Sequence, residues 1–140
     1  MALTQVVDVT RRLVVNVASG LLNAQDMVEN QLALRNDPAF AGSFRSLIDL
    51  RRVVDIDVSS EELRALALSS PFDSGVRRAY VVTSKEQFGV TRLYQAIIDA
   101  DARIYRIFEN YDEAVAWLDA DLEKRGTRRK LEASPRSISR

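Results

Sequence analysis

The sequence predicts an α/β protein: a mixed, mostly parallel five-stranded sheet with four helices and an antiparallel hairpin at its N-terminal edge. Three observations predict it. Two β-branched runs, residues 3–9 and 12–17, flank the polar turn Asp8-Val9-Thr10-Arg11, as in a hairpin. Helical and strand patterns then alternate, which is the order of βαβ crossovers and therefore of parallel pairing. Lastly, Asp112-Glu113-Ala114-Val115-Ala116-Trp117-Leu118 is amphipathic at helical spacing, so a helix follows the last strand.

The elements follow in order. Ser19-Gly20 is expected to end the second strand. Asn23 is a suitable N-cap for the first helix, with Asp26 three residues on and Met27, Leu32 and Leu34 as its apolar positions. That helix should stop before Asp37-Pro38, because the residue preceding proline is pushed out of the α region. After the loop Ala41-Gly42-Ser43, residues 44–50 are mainly apolar and suit an interior strand. Ser59 and Glu62 have the spacing of a capping box and open a helix through Leu63, Leu66 and Leu68, closed by Pro71. Residues 78–83 read as a strand. Residues 85–100 read as a helix with Phe88, Leu93, Tyr94 and Ile97 facing inward. Residues 102–108 alternate as the last strand, and the final helix runs from Asp112 to about Lys124. No internal repeat is present.

Composition bounds the chemistry. The 140 residues fit one domain, 1–124, followed by a tail, 125–140, that carries six basic residues against one acid and is expected to be disordered. The net charge is zero, so the body ahead of that tail is acidic. The chain has no cysteine and no histidine. Disulfides, thiolate metal sites, cysteine nucleophiles and imidazole bases are thereby excluded, and catalysis would have to run on carboxylates, lysine, tyrosine or hydroxyls. No apolar run approaches the roughly 20 residues that span a bilayer, and the N-terminus lacks the pattern of a signal peptide. A cytoplasmic protein without cofactor or metal is the expectation.

The sequence resembles the SpoIIAA-like (STAS/SEC14) branch of the STAS superfamily. The resemblance rests on Ser19-Gly20, Asp37-Pro38-Ala39-Phe40, Leu47-Ile48-Asp49-Leu50-Arg51, Ser60-Glu61-Glu62-Leu63, the Arg78-Ala79-Tyr80-Val81-Val82 strand, Phe88-Gly89 with Arg92, and Phe108 followed by the Asp112–Leu118 segment. These span about residues 3–120. The resemblance implies a four-helix, mixed-sheet domain used for protein interaction or small-ligand sensing. It also implies a place to look for a phosphoacceptor, since STAS anti-sigma-factor antagonists are phosphorylated on the second serine of an Asp-Ser-Ser-Gly-type turn. In Ile56-Asp57-Val58-Ser59-Ser60-Glu61 the aspartate matches as Asp57 and Ser59 falls at the modified position, whereas Val58 replaces the first serine and the glycine is absent.

Ser59 is therefore the candidate phosphoacceptor, against the plainer role of a helix N-cap. Asp57, Ser60, Glu61 and Glu62 form a candidate interaction surface, centred on a loop expected over residues 55–62 and the helix after it. Asp49, at the carboxyl end of its strand, and Phe88-Gly89 with Arg92 are candidate anion or ligand contacts, against ion pairing for Asp49 and core packing for Phe88. Trp117 is expected to anchor the last helix, and the basic tail to be solvated, with no specific nucleic-acid partner.

The function expected is a non-catalytic regulatory or protein-interaction module of STAS type with a protein partner, self-association into a homodimer being a further option. A small apolar ligand or lipid carrier is the alternative, with a cavity lined by residues such as Phe40, Phe72, Phe88 and Tyr94. A third reading is a magnesium-dependent phosphatase using Asp55 and Asp57, which extended backbone places on one side of the chain.

Overall fold

A computed structural model describes residues 2–120. The expected tail lies outside the described residues. Strand β1 (Leu3–Asp8) runs antiparallel to β2 (Leu13–Asn23), and β3 (Arg45–Asp57), β4 (Arg78–Val81) and β5 (Tyr105–Phe108) each add in parallel, giving the order β1-β2-β3-β4-β5. Helices α1 (Ala24–Arg35), α2 (Ser60–Leu68) and α3 (Lys85–Ile98) connect successive parallel strands, and a fourth helix, α4, covers residues 111–120. When each parallel strand adds on the same side of the last through crossovers of one hand, the crossover helices share one face of the sheet.

The side-chain alternation agrees. On β2, Leu13 packs with Leu47, Ala79, Val81, Ala114 and Leu118, a core between the sheet and α4. Its neighbour Val14 points the other way, to Leu34 of α1 and to Phe44. Each fully buried leucine stabilises the fold by about 1.5–3 kcal/mol relative to an exposed one. Helix α4 is tied to the sheet by cations: Arg45 donates to the Leu118 carbonyl and Arg77 to the Trp117 carbonyl at 2.9 Å. Arg77 also lies over the Trp117 ring at 4.5 Å. Trp117 is thus the anchor expected of it.

Local chemistry sets most boundaries. Asn23 and Ser59 both make complete capping boxes, with Asp26 and Glu62 respectively. Asn110 accepts from the Glu113 amide at 2.9 Å, so α4 begins slightly earlier than expected.

Three expectations are corrected. First, Ser19-Gly20 does not end β2: Gly20 adopts φ +67 and the register shifts on either side of it, so the strand bulges and continues through buried Leu22. Second, the segment expected as a loop from residue 55 is strand, because β3 runs to Asp57 and pairs Asp55 with Leu21 and Asp57 with Asn23. Third, α3 is rotated from its expected setting. It buries Gln87 and Thr91, leaving Phe88 48 % exposed and Leu93 exposed too. Gln87 is drawn in because it accepts from the Thr83 amide at 2.8 Å and donates to the Val53 carbonyl at 3.0 Å, joining β3 and the β4–α3 turn.

Candidate ligand cavity

The three crossover helices do not close completely on the sheet. Between them lies a cavity of about 140 Å³, bounded by Ile48 and Leu50 on β3, Met27 on α1, Leu63 and Leu66 on α2, and Val90 on α3. It is close in size to the roughly 150 Å³ apolar cavity that accommodates a benzene ring in an engineered protein. Helix α2 forms its roof. That helix packs mainly against α1 and α3, and its Leu63 and Leu66 face inward. Gln31 of α1 holds it by donating to the Leu66 carbonyl at 2.9 Å and accepting from the Ser69 hydroxyl at 2.7 Å.

The floor of the cavity is less apolar than its roof. Ser46 and Arg78 are direct partners across β3 and β4, and Asn16 lies on β2 two residues from Val14, the partner of Ser46. All three line the cavity, with Asn16 only 3 % and Ser46 only 2 % exposed. Asn16 accepts from the Asn30 side chain at 3.1 Å. Tyr80 on β4 and Tyr94 on α3 also line the cavity. Burial raises the pKa of both. The Arg78 guanidinium opposes that rise in each, by its charge and by hydrogen bonding.

The candidate residues read from sequence fall in three separate places. Asp57, Ser59, Ser60, Glu61 and Glu62 are all exposed where β3 meets α2. The Ser59 hydroxyl accepts from the Glu62 amide at 3.1 Å, and the Glu62 carboxylate accepts from the Ser59 amide at 2.9 Å. Asp49 is 5 % exposed and belongs to the α4 side of the sheet, sharing the facing of Leu47. Its carboxylate is taken by Arg51, through the side chain at 2.9 Å and the backbone amide at 3.1 Å. Phe88, Gly89 and Arg92 lie on the exposed side of α3, apart from Asp49. Asp55 is exposed and accepts from the amide of Ile56, and no cluster of metal-ligating side chains exists among the described residues.

Of the four aromatics expected around a cavity, Phe72 and Tyr94 line it. Phe40 packs edge-on against Phe72 at 5.2 Å and Phe44 at 5.8 Å. Phe88 faces outward. The residues overlooked in the sequence are Asn16, Ser46 and Arg78. Their signal was polarity at positions of a strand that its alternation points inward.

No protein-family model matches the chain, and no curated protein matches it. A solved structure does: an uncharacterized protein of the DUF3478 family with a SpoIIAA-like fold, from Shewanella loihica. The two share 20 % identity over 76 % of this chain and 83 % of that one, with a TM-score of 0.53. The fold is SpoIIAA-like. At that identity the likeness speaks for architecture: the SpoIIAA-like domain has the mixed five-stranded sheet and four helices expected, and no helix among its described residues is long and apolar enough to cross a membrane.

Proposed function

We propose that this SpoIIAA-like domain is a non-catalytic regulatory module. A small, largely apolar ligand occupies the cavity and sets the position of α2, and α2 carries that state to a protein partner. The observation that carries the reading is the double use of this one helix. Its inner residues Leu63 and Leu66 roof the cavity, while Glu61, Glu62 and Arg64 on the same helix are exposed. Leu68, at 91 % exposure, ends the helix as an apolar contact point at the opposite end from the acidic turn. A ligand that fits under α2 in only one of its positions shifts the helix by its differential affinity for the two.

Amide hydrogen exchange of α2, with and without toluene as a neutral ring-sized probe, tests this. Toluene binding with slowed exchange over residues 60–68 is expected, and both effects should vanish in Leu66→Trp, which fills the space. Failure of toluene to bind, or binding that leaves α2 exchange unchanged, contradicts it.

A further inference from the structure

Within the cavity, electrostatics and chemistry point to one class of ligand. Among the described residues, Arg78 is the only charged one that lines it. No carboxylate of the described residues lies within ion-pairing distance of its guanidinium, which instead sits 5.5 Å above the Phe72 ring and beside the hydroxyls of Tyr80 and Tyr94. This contrasts with Arg11, Arg51 and Arg103, each paired with an aspartate. The groups next to Arg78 strengthen the bias. The Ser46 hydroxyl makes no hydrogen bond among the described residues, and Asn16 uses its carbonyl oxygen on Asn30, leaving its amide hydrogens without a partner there. A half-buried cation with unengaged hydroxyl and amide donors beside it, all on one wall of a largely apolar space, is a receptor for an anion that carries an apolar body.

We propose that the cavity binds a small organic monocarboxylate of about ring size, with Arg78 receiving the carboxylate, Ser46 and Asn16 supplying further donors, and the leucines of α2 covering the apolar body. The proposal rests on the cavity being a ligand site, as argued above, and names what it selects. A guanidinium matches a carboxylate in geometry as well as charge, forming two parallel hydrogen bonds that a neutral hydroxyl cannot reproduce. A bare inorganic anion satisfies the donors and leaves the apolar roof uncovered, so it competes poorly.

Titration of the full chain with benzoate, benzyl alcohol, toluene and inorganic phosphate, followed by NMR shifts of cavity methyl groups, tests the assignment. Benzoate should bind at least about tenfold more tightly than benzyl alcohol, the scale of a charge-assisted hydrogen bond. Arg78→Met should cut benzoate affinity by at least about that factor while leaving toluene affinity unchanged. Phosphate should not displace benzoate. Because the comparison of benzoate with benzyl alcohol needs only the unaltered protein, it stands even where Arg78→Met folds poorly; Ser46→Ala supplies a milder second variant, expected to weaken benzoate selectively. Equal affinity for benzoate and benzyl alcohol, an Arg78→Met variant that keeps full benzoate affinity, or displacement by phosphate overturns the assignment. If toluene binds and benzoate gains nothing, this inference alone fails. If neither binds, the ligand-site reading fails with it.

Discussion

Tyr80 and Tyr105, neighbours on β4 and β5, stack with ring centroids 4.6 Å apart and planes 28° from parallel, and the Tyr105 hydroxyl donates to the Thr91 carbonyl of α3 at 2.5 Å. The pair joins the floor of the cavity to one of its walls. It also makes the domain sensitive to alkali. Burial pushes the Tyr80 pKa from 10.0 up to about 12 and raises that of Tyr105 as well. Below pH 10.0 both folded and unfolded chains keep the Tyr80 proton, and the full stability is present. Above it the unfolded chain loses its proton first, so stability falls through the window up to about pH 12. Denaturant unfolding followed across that window should show the decline, and Tyr80→Phe should make it shallower, with Tyr105 and Tyr94 supplying the remainder. An unaltered slope in Tyr80→Phe contradicts the assignment.

Removing the Tyr105 hydroxyl isolates the wall contact. Tyr105→Phe keeps the stacked ring and deletes the bond to Thr91, so a loss of about 1 kcal/mol in urea unfolding is expected. No change would mean that the contact to α3 contributes nothing measurable.

On the acid side, the buried contributor is Asp49. Its burial alone favours the neutral acid, but hydrogen bonds and charge from Arg51 outweigh that and hold the carboxyl below its usual 3.8. A lowered pKa contributes stability that is present above 3.8 and is lost as pH falls through the folded value below it. Asp49→Asn should therefore reduce the midpoint of thermal unfolding near neutrality and weaken its dependence on acid. Identical acid curves for both proteins would refute the pairing.

At the start of α2, Ser59→Ala removes the hydroxyl that caps the helix and should cost about 1 kcal/mol. Ser59→Asp restores a capping oxygen, and its stability should stay within a few tenths of a kcal/mol of the parent. Equal losses in the two variants would show that the cap is not what Ser59 provides.

Helix α4 seals the opposite face of the sheet. Leu118 is fully buried among Leu13, Leu47 and Val81. Leu118→Ala should cost about 3 kcal/mol, the transfer and cavity terms together. A loss below about 1 kcal/mol would mean that the site collapses on truncation.

Much of this architecture is legible in the sequence because it is specified locally. Asn23 with Asp26 and Ser59 with Glu62 mark two helix starts through bonds spanning three residues. The alternation of β2 and β5 marks strands. The misplaced elements are those decided by distant partners. Gly20 reads as a terminator, yet β3 supplies a paired strand that carries β2 through the bulge to Asn23. Phe88 reads as core by hydropathy, yet Gln87 is pulled inward by bonds to Thr83 and the far carbonyl of Val53. The cavity was half legible. Phe72 and Tyr94 stand out as aromatics, whereas Asn16, Ser46 and Arg78 come from three strands separated by more than a helix each and meet only when the sheet registers.

The most direct measurement on the whole account is a crystal structure of the protein under xenon pressure. Xenon enters dry apolar cavities, and density between Ile48, Leu63 and Leu66 is the result expected if α2 roofs an accessible ligand space. An interior closed to xenon, with those three side chains in mutual contact, would contradict it.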